Sequence, residues 1–148
     1  MTERTARDRA LGWLARREYA REELAARLRR SGYSSEDVER TLSELADAGL
    51  QSDDRYAESR IRARFNQGYG PIRIRLELQR FEVDESIIRR HLGSDEFDWF
   101  LSARKVLLKK YPRPPGEWKD KARRLRYLAS RGFDAEQTEH AMDGYQPE

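Results

Sequence analysis

The sequence predicts an all-α protein, thin or elongated, built from three tandem three-helix repeats. Three observations predict it. Apolar residues, including three Trp, seven Tyr, five Phe and many Leu, recur at helical spacing. The chain is similar to itself at a period of 50 residues: Leu28, Leu78 and Leu128 align, as do Gly32, Glu82 and Gly132, then Tyr33, Val83 and Phe133. Hydrophobic residues make up only 37% of the 148 and charged residues 39%. That composition suits a thin helical structure better than a thick globular core, while the aromatic and leucine periodicity argues against full disorder.

Each repeat follows from local signals. In residues 1–51, Ala10, Leu11 and Leu14 mark a helix near 5–17, and Leu24 and Leu28 one near 20–31. Val38, Leu42 and Leu45 mark a third near 35–48. Gly49 suits a left-handed residue closing that helix. In residues 52–93, Ser52, Asp53 or Asp54 can cap a helix near 53–67 by accepting its free N–H groups. Gly68-Tyr69-Gly70 breaks it, and Pro71 suits the first turn of the next, near 71–80, where its missing N–H is no loss. A shorter helix is expected near 84–92. In residues 94–148, helices are expected near 95–110, 117–131 and 134–143. They are interrupted by Tyr111-Pro112-Arg113-Pro114-Pro115-Gly116, since three prolines cannot sit inside a helix. Ser34, Asp84 and Asp134 repeat as caps, and the tail Tyr145-Gln146-Pro147-Glu148 is expected to fray. A three-helix unit of this size is marginal alone, and stacking on neighbours would bury its remaining apolar faces.

Net charge is only +3, and arginine supplies all but five of the 30 basic residues. The charge is nonetheless segregated. Residues 59–80 hold six basic residues and one acid, Glu77; residues 104–131 hold eleven basic residues and two acids, Glu117 and Asp120. Arg60, Arg64, Arg73, Arg75 and Arg80 fall on two successive helices of the middle repeat, and Lys119, Arg123 and Arg126 extend the charge into the third. Units stacked in register would join them into one basic stripe, suited to a polyanion or an acidic protein groove. Solvated helix faces are the plainer reading of either stretch alone. Reversing the charge of Arg73 and Arg75 is expected to weaken such binding. Phe65, Tyr69, Trp118 and Tyr127 could stack on bases, but core packing is the expectation for most of them, as it is for Trp13, Trp99 and Tyr56.

Catalytic signatures are missing from the sequence. Gly68-Tyr69-Gly70-Pro71 lacks the spacing and lysine of a phosphate loop. His91 and His140 have no partner at metal-ligand spacing, Asp53-Asp54 reads as a helix cap, and Ser34-Ser35 has no histidine to activate it. With no cysteine there is no disulfide framework or thiolate site. No run has the apolar length of a membrane span, and the N-terminus lacks the apolar core of a secretory signal. These features predict a soluble cytoplasmic monomer that is not an enzyme and holds no cofactor or metal.

Residues 49–81 carry a further signal. Gly49-Leu50, Asp54-Arg55-Tyr56-Ala57, and Gly70-Pro71 followed by Arg73-Ile74 and Glu77-Leu78, in that order and spacing, resemble the RecX family, small regulators of the RecA recombinase. The similarity runs from about Ala10 to about Met142. Where the family carries a basic residue and a glycine after the second helix of the middle repeat, this chain reads Arg80-Phe81-Glu82-Val83. The resemblance implies a curved rod of three-helix repeats lodged in the groove of the RecA–DNA filament. There it would hinder strand exchange and ATP hydrolysis, or promote disassembly. A basic face suits either DNA phosphate or an acidic filament surface. Two other classes fit three-helix units: a helix-turn-helix transcription factor, although no helix clusters Asn, Gln and Arg for base readout, and a helical adaptor whose basic stripe is incidental.

Overall fold

The computed structural model describes residues 4–145. Among them lie nine helices and no strand: α1 (Ala6–Leu14), α2 (Arg21–Arg30), α3 (Ser35–Asp47), α4 (Asp53–Asn66), α5 (Pro71–Arg80), α6 (Glu85–Leu92), α7 (Trp99–Lys110), α8 (Trp118–Arg131) and α9 (Ala135–Met142). The all-α class is as expected.

Two helices are shorter than expected from the sequence. α1 stops at Leu14, and Arg17 beyond it turns to Glu23, pairing at 2.7 Å, while its guanidinium lies 3.5 Å from the Tyr19 ring centroid. α7 begins at Trp99, not Asp95, because the Asp98 carboxylate accepts the Leu101 N–H and sets the helix start there. That leaves Phe97 outside the helix and buried.

The period of 50 has a physical meaning in the backbone. Leu28, Leu78 and Leu128 are all fully buried. Each carbonyl accepts the N–H of the residue five positions on, Tyr33, Val83 and Phe133, at 3.2, 3.3 and 3.2 Å. The intervening residues Gly32, Glu82 and Gly132 have φ of +97°, +56° and +103°, and their N–H groups bond to Arg29, Gln79 and Ala129. This is the Schellman closure of a helix, with an apolar residue packing just beyond it. Glu82 adopts the left-handed turn although it carries a Cβ, so the missing glycine does not change how α5 ends.

The chain divides into two compact units. One takes in the chain as far as Ser59 together with Leu78–Ile88. Its core is Ala6, Ala10, Tyr19, Leu24, Ala25, Leu28, Val38, Leu42 and Leu45, with Trp13, Leu14 and Tyr33 packed against it. Tyr56 is also buried there. α2 starts after Ala20, which offers no capping oxygen, and Asp53 accepts the Arg21 N–H at 2.8 Å in its place. The buried Gln51 holds Asp53 there, donating to it and to the Tyr19 carbonyl. Ser52 caps α4 by accepting the Arg55 N–H, so of the three candidate residues it is the serine that caps this helix.

The other unit takes in Arg60–Glu77 and the chain from Arg89 onward. Phe65, Phe97 and Trp99 form an aromatic cluster with centroids 5.2–5.7 Å apart, and the Trp99 indole N–H donates to the Leu92 carbonyl. α7 packs against α8 and α9 over Ala103, Leu107, Leu128, Phe133 and Ala141. Of the tail expected to fray, Tyr145 is held: its hydroxyl donates to the Tyr111 carbonyl at 2.7 Å. The rest of that tail lies outside the described residues.

Candidate functional site

The geometry of the basic region begins at the turn between α4 and α5. Gly68, at φ +83°, closes α4. Gly70 then lies against Gly132 so closely that a Cβ on it would sit 2.4 Å from the Gly132 carbonyl carbon. The approach lets the Gly70 and Ile72 N–H groups donate to the carbonyls of Arg131 and Gly132 at 2.8 and 2.9 Å. The start of α5 and the end of α8 thereby satisfy each other's free backbone groups, and the positive end of one helix faces the negative end of the other. Pro71 is required to donate nothing.

That junction sets the side chains around it. The Arg131 guanidinium lies 4.1 Å from the Tyr69 ring centroid and that of Arg73 4.2 Å from it. Arg131 also donates to the Gln67 and Gly68 carbonyls at 2.6 and 3.3 Å. Two cations are thus held on one aromatic ring, with neutral carbonyls rather than carboxylates as the partners of Arg131. Arg131 lies outside the predicted stripe; its approach to Gly70 is long-range and leaves no local mark in the sequence.

The predicted stripe residues have different fates. Arg64 makes a two-pronged pair with Glu77 at 2.9 and 3.0 Å, and Arg60 reaches the same carboxylate at 3.5 Å. Arg75 is half-buried on α5. Arg80, in the first unit, is exposed and lies over the Phe81 ring. Arg123 pairs with Asp120. Lys119 and Arg126 are exposed and make no ion pair among the described residues. Lys119 lies 5.7 Å from the Trp118 ring. Trp118 is 72% exposed, against the expectation of core packing. As the first residue of α8 its side chain leans back past the helix start, where no preceding turn exists to cover it.

Arg124, inside the basic stretch by sequence, is buried. It donates to the Arg113 carbonyl and the Tyr145 hydroxyl at 2.6 and 2.9 Å, pairs with Asp120 at 2.9 Å, and stands 4.8 Å from the Tyr111 ring. It ties the proline segment and Tyr145 to α8. The Gly116 N–H, with Arg123 and Arg124, holds the Asp120 carboxyl down to about 2 from its ordinary 3.8. Burial pushes the Tyr145 phenol up. Among the described residues no group of three or more His, Asp or Glu could hold a metal, and no helix is long and apolar enough to cross a membrane.

Comparison with known proteins gives the family. Models of the first, second and third three-helix domains of RecX match residues 6–45, 52–92 and 100–142. The regulatory protein RecX of Chromohalobacter salexigens is 44% identical over 140 residues, covering 95% of this chain and 92% of that one. The regulatory protein RecX of Acidithiobacillus ferrooxidans is 45% identical over 129 residues, covering 86% and 81%. A crystal structure of RecX from Lactobacillus salivarius, 22% identical, has the same fold, with a TM-score of 0.78 over 93% of this chain and 92% of that one. A crystal structure of a regulatory protein RecX, 26% identical, gives 0.79 over 93% of this chain and 70% of that one.

Proposed function

This chain belongs to the RecX family, and on that premise we propose that it is a non-enzymatic regulator of the RecA recombinase. It binds in the groove of the RecA–DNA filament and hinders strand exchange and ATP hydrolysis. The observation that carries the reading is the match of all three RecX domain models in order along the chain. It also supports a regulator over a sequence-specific transcription factor. We take residues 1–51, 52–93 and 94–148 as the three repeats of a cytoplasmic monomer.

The cations differ in what they offer a filament. Arg60 and Arg64 share the single carboxylate of Glu77, and Arg123 shares Asp120 with Arg124, so their charge is only partly answered within the protein. Arg73 retains its charge but supports the Tyr69 ring, so its reversal would perturb packing as well as binding. Lys119 and Arg126 are the cleaner probes. Exposed charges contribute little to stability, so Lys119→Glu with Arg126→Glu should leave the fold intact.

The test is RecA-catalysed ATP hydrolysis and strand exchange on single-stranded DNA, with a pull-down against filament, RecA alone and DNA alone. The wild type should slow both reactions and bind filament, with an affinity that falls as salt rises; the double variant should bind filament more weakly. Unchanged hydrolysis and no filament capture would overturn the reading. Protection of one sequence in footprinting on random DNA would replace it with the transcription-factor reading.

A further inference from the structure

A cleft of about 710 Å³ opens in the second unit where the end of α4 meets α7 and α8. Its lining includes Gln67, Leu101, Lys105, Lys109, Tyr127 and Arg131. A volume of this order accommodates a small organic ligand, so the question is which chemistry the walls select.

The charges decide it. Two acids lie on the lining against four cations: Glu96 pairs with Arg62, while Asp98 caps α7 through the Leu101 N–H and keeps its charge. The cations are not matched in this way. Lys105 and Lys109 stand one turn apart on α7, exposed, and neither pairs with a carboxylate among the described residues. Lys110 lies with its ammonium 5.6 Å from the Tyr127 ring centroid, and the guanidinium of Arg131 is held by carbonyls and a ring, which leave its positive charge uncancelled. Four cations therefore face one opening that also presents the Tyr127 ring, apolar groups at Leu101 and Val106, and the amides of Asn66 and Gln67. A ligand matching all of these is anionic at one end and flat and weakly polar at the other.

We propose that this cleft binds a segment of single-stranded nucleic acid, with backbone phosphates on Lys105, Lys109 and Arg131 and one base in the cavity against Tyr127. Single strands are held in this way by a cationic groove with aromatic groups on which bases lie. A duplex keeps its bases stacked and cannot deliver one into a cavity without unpairing it. An acidic peptide would use the lysines but leave the aromatic and amide walls unused. The proposal deepens the regulator reading by giving the chain a direct hold on a DNA strand, at residues outside the predicted stripe.

The experiment uses the full chain and no recombinase, so it can fail while filament regulation stands, and the reverse. A fluorescein-labelled oligothymidylate is titrated across a salt series, beside its duplex with oligoadenylate and beside polyglutamate. The probes are the wild type, Lys105→Gln with Lys109→Gln, and the charge-keeping Lys105→Arg with Lys109→Arg. Both side chains are exposed, so helicity by circular dichroism should be equal in all three. Losing two phosphate contacts should make the slope of log affinity against log salt shallower by about 1.4, at about 0.7 per contact on single strands. The arginine variant should restore the slope. An oligonucleotide carrying 5-iodouridine should crosslink to Tyr127. Equal slopes for wild type and glutamine variant, tighter binding of duplex or polyglutamate than of the single strand, or crosslinks only outside the cleft would each overturn the proposal.

Discussion

Gly70→Ala should destabilise the second unit by about 2–6 kcal/mol. The added Cβ would stand 2.4 Å from the Gly132 carbonyl carbon and oxygen and 2.6 Å from the Phe133 nitrogen. Ordinary carbon contacts lie near 3.5–4.0 Å, so the two backbones must part by about 1 Å. All three obstructing atoms are backbone atoms at a helix end, which cannot swing aside as a side chain can. Overpacking of this kind costs about 1–3 kcal/mol. The separation also stretches the Gly70–Arg131 and Ile72–Gly132 hydrogen bonds, now 2.8 and 2.9 Å, each contributing about 0.5–1.5 kcal/mol net. Urea melts followed by far-UV circular dichroism measure the loss; where the two units unfold separately, it should fall on the transition of the unit that holds Gly70. Gly12→Ala is the control. That glycine lies within α1, and a Cβ added to it would meet nothing within 4 Å, so the change should stabilise by about 0.5–1 kcal/mol. A Gly70→Ala loss below about 0.5 kcal/mol would show that the two helix ends are not held in this contact.

Glu82→Gly should stabilise the protein by about 0.5–1 kcal/mol, because a left-handed residue with a Cβ costs about 1–2 kcal/mol and glycine returns part of that as unfolded-state entropy; a fall in stability in the same urea melts would contradict the +56° assignment. Leu78→Ala, at a fully buried site, should cost about 2–5 kcal/mol, and a loss below about 0.5 kcal/mol would break the repeat register. Asp120 sets a pH dependence. Its folded value, about 2, lies below its ordinary 3.8, so its contribution is whole above about pH 4 and drains away as pH falls towards 2. Acid titration of stability should therefore be flatter over that window in Asp120→Asn than in the wild type, and parallel curves would rule out the proposed role of the Gly116, Arg123 and Arg124 contacts.

Most of the fold was legible because its signals are local. A polar cap, an apolar face and a left-handed closing residue act over a few positions, and their recurrence at 50-residue intervals places most of the helix boundaries. One misplaced boundary arose where an apolar residue serves something other than a helix. Phe97 extends the apolar pattern of α7 backward, but it packs as a loop residue against Phe65 and Trp99. Other features depend on partners far along the chain. Asp53 looks like a cap for the helix it begins, yet its oxygen serves Arg21, 32 positions earlier. Gly70 looks like half of a turn signal, whereas its lack of a side chain is needed to admit Gly132.

The basic region was legible as composition and much less as availability. A count over a window records how many cations a stretch holds, but a cation meets a polyanion most readily when no carboxylate reaches it. Within one helix the sequence does contain that test, because residues three and four apart are neighbours. Arg123 and Arg124 have Asp120 at those spacings, and both are paired with it. Lys105, Lys109, Lys119 and Arg126 have no acid at those spacings in either direction, and none makes an ion pair among the described residues. The test separates Lys105, Lys109, Lys119 and Arg126, which have no local carboxylate, from Arg123 and Arg124, which do. It fails where helices cross. Glu77 stands four residues after Arg73 and looks like its partner, but the fold turns that carboxylate to Arg60 and Arg64 on α4. Arg73 is left to the Tyr69 ring beside Arg131. Spacing along a helix therefore tells which charges can be cancelled locally, and only the packing of α4, α5 and α8 tells which of the remainder face outward together.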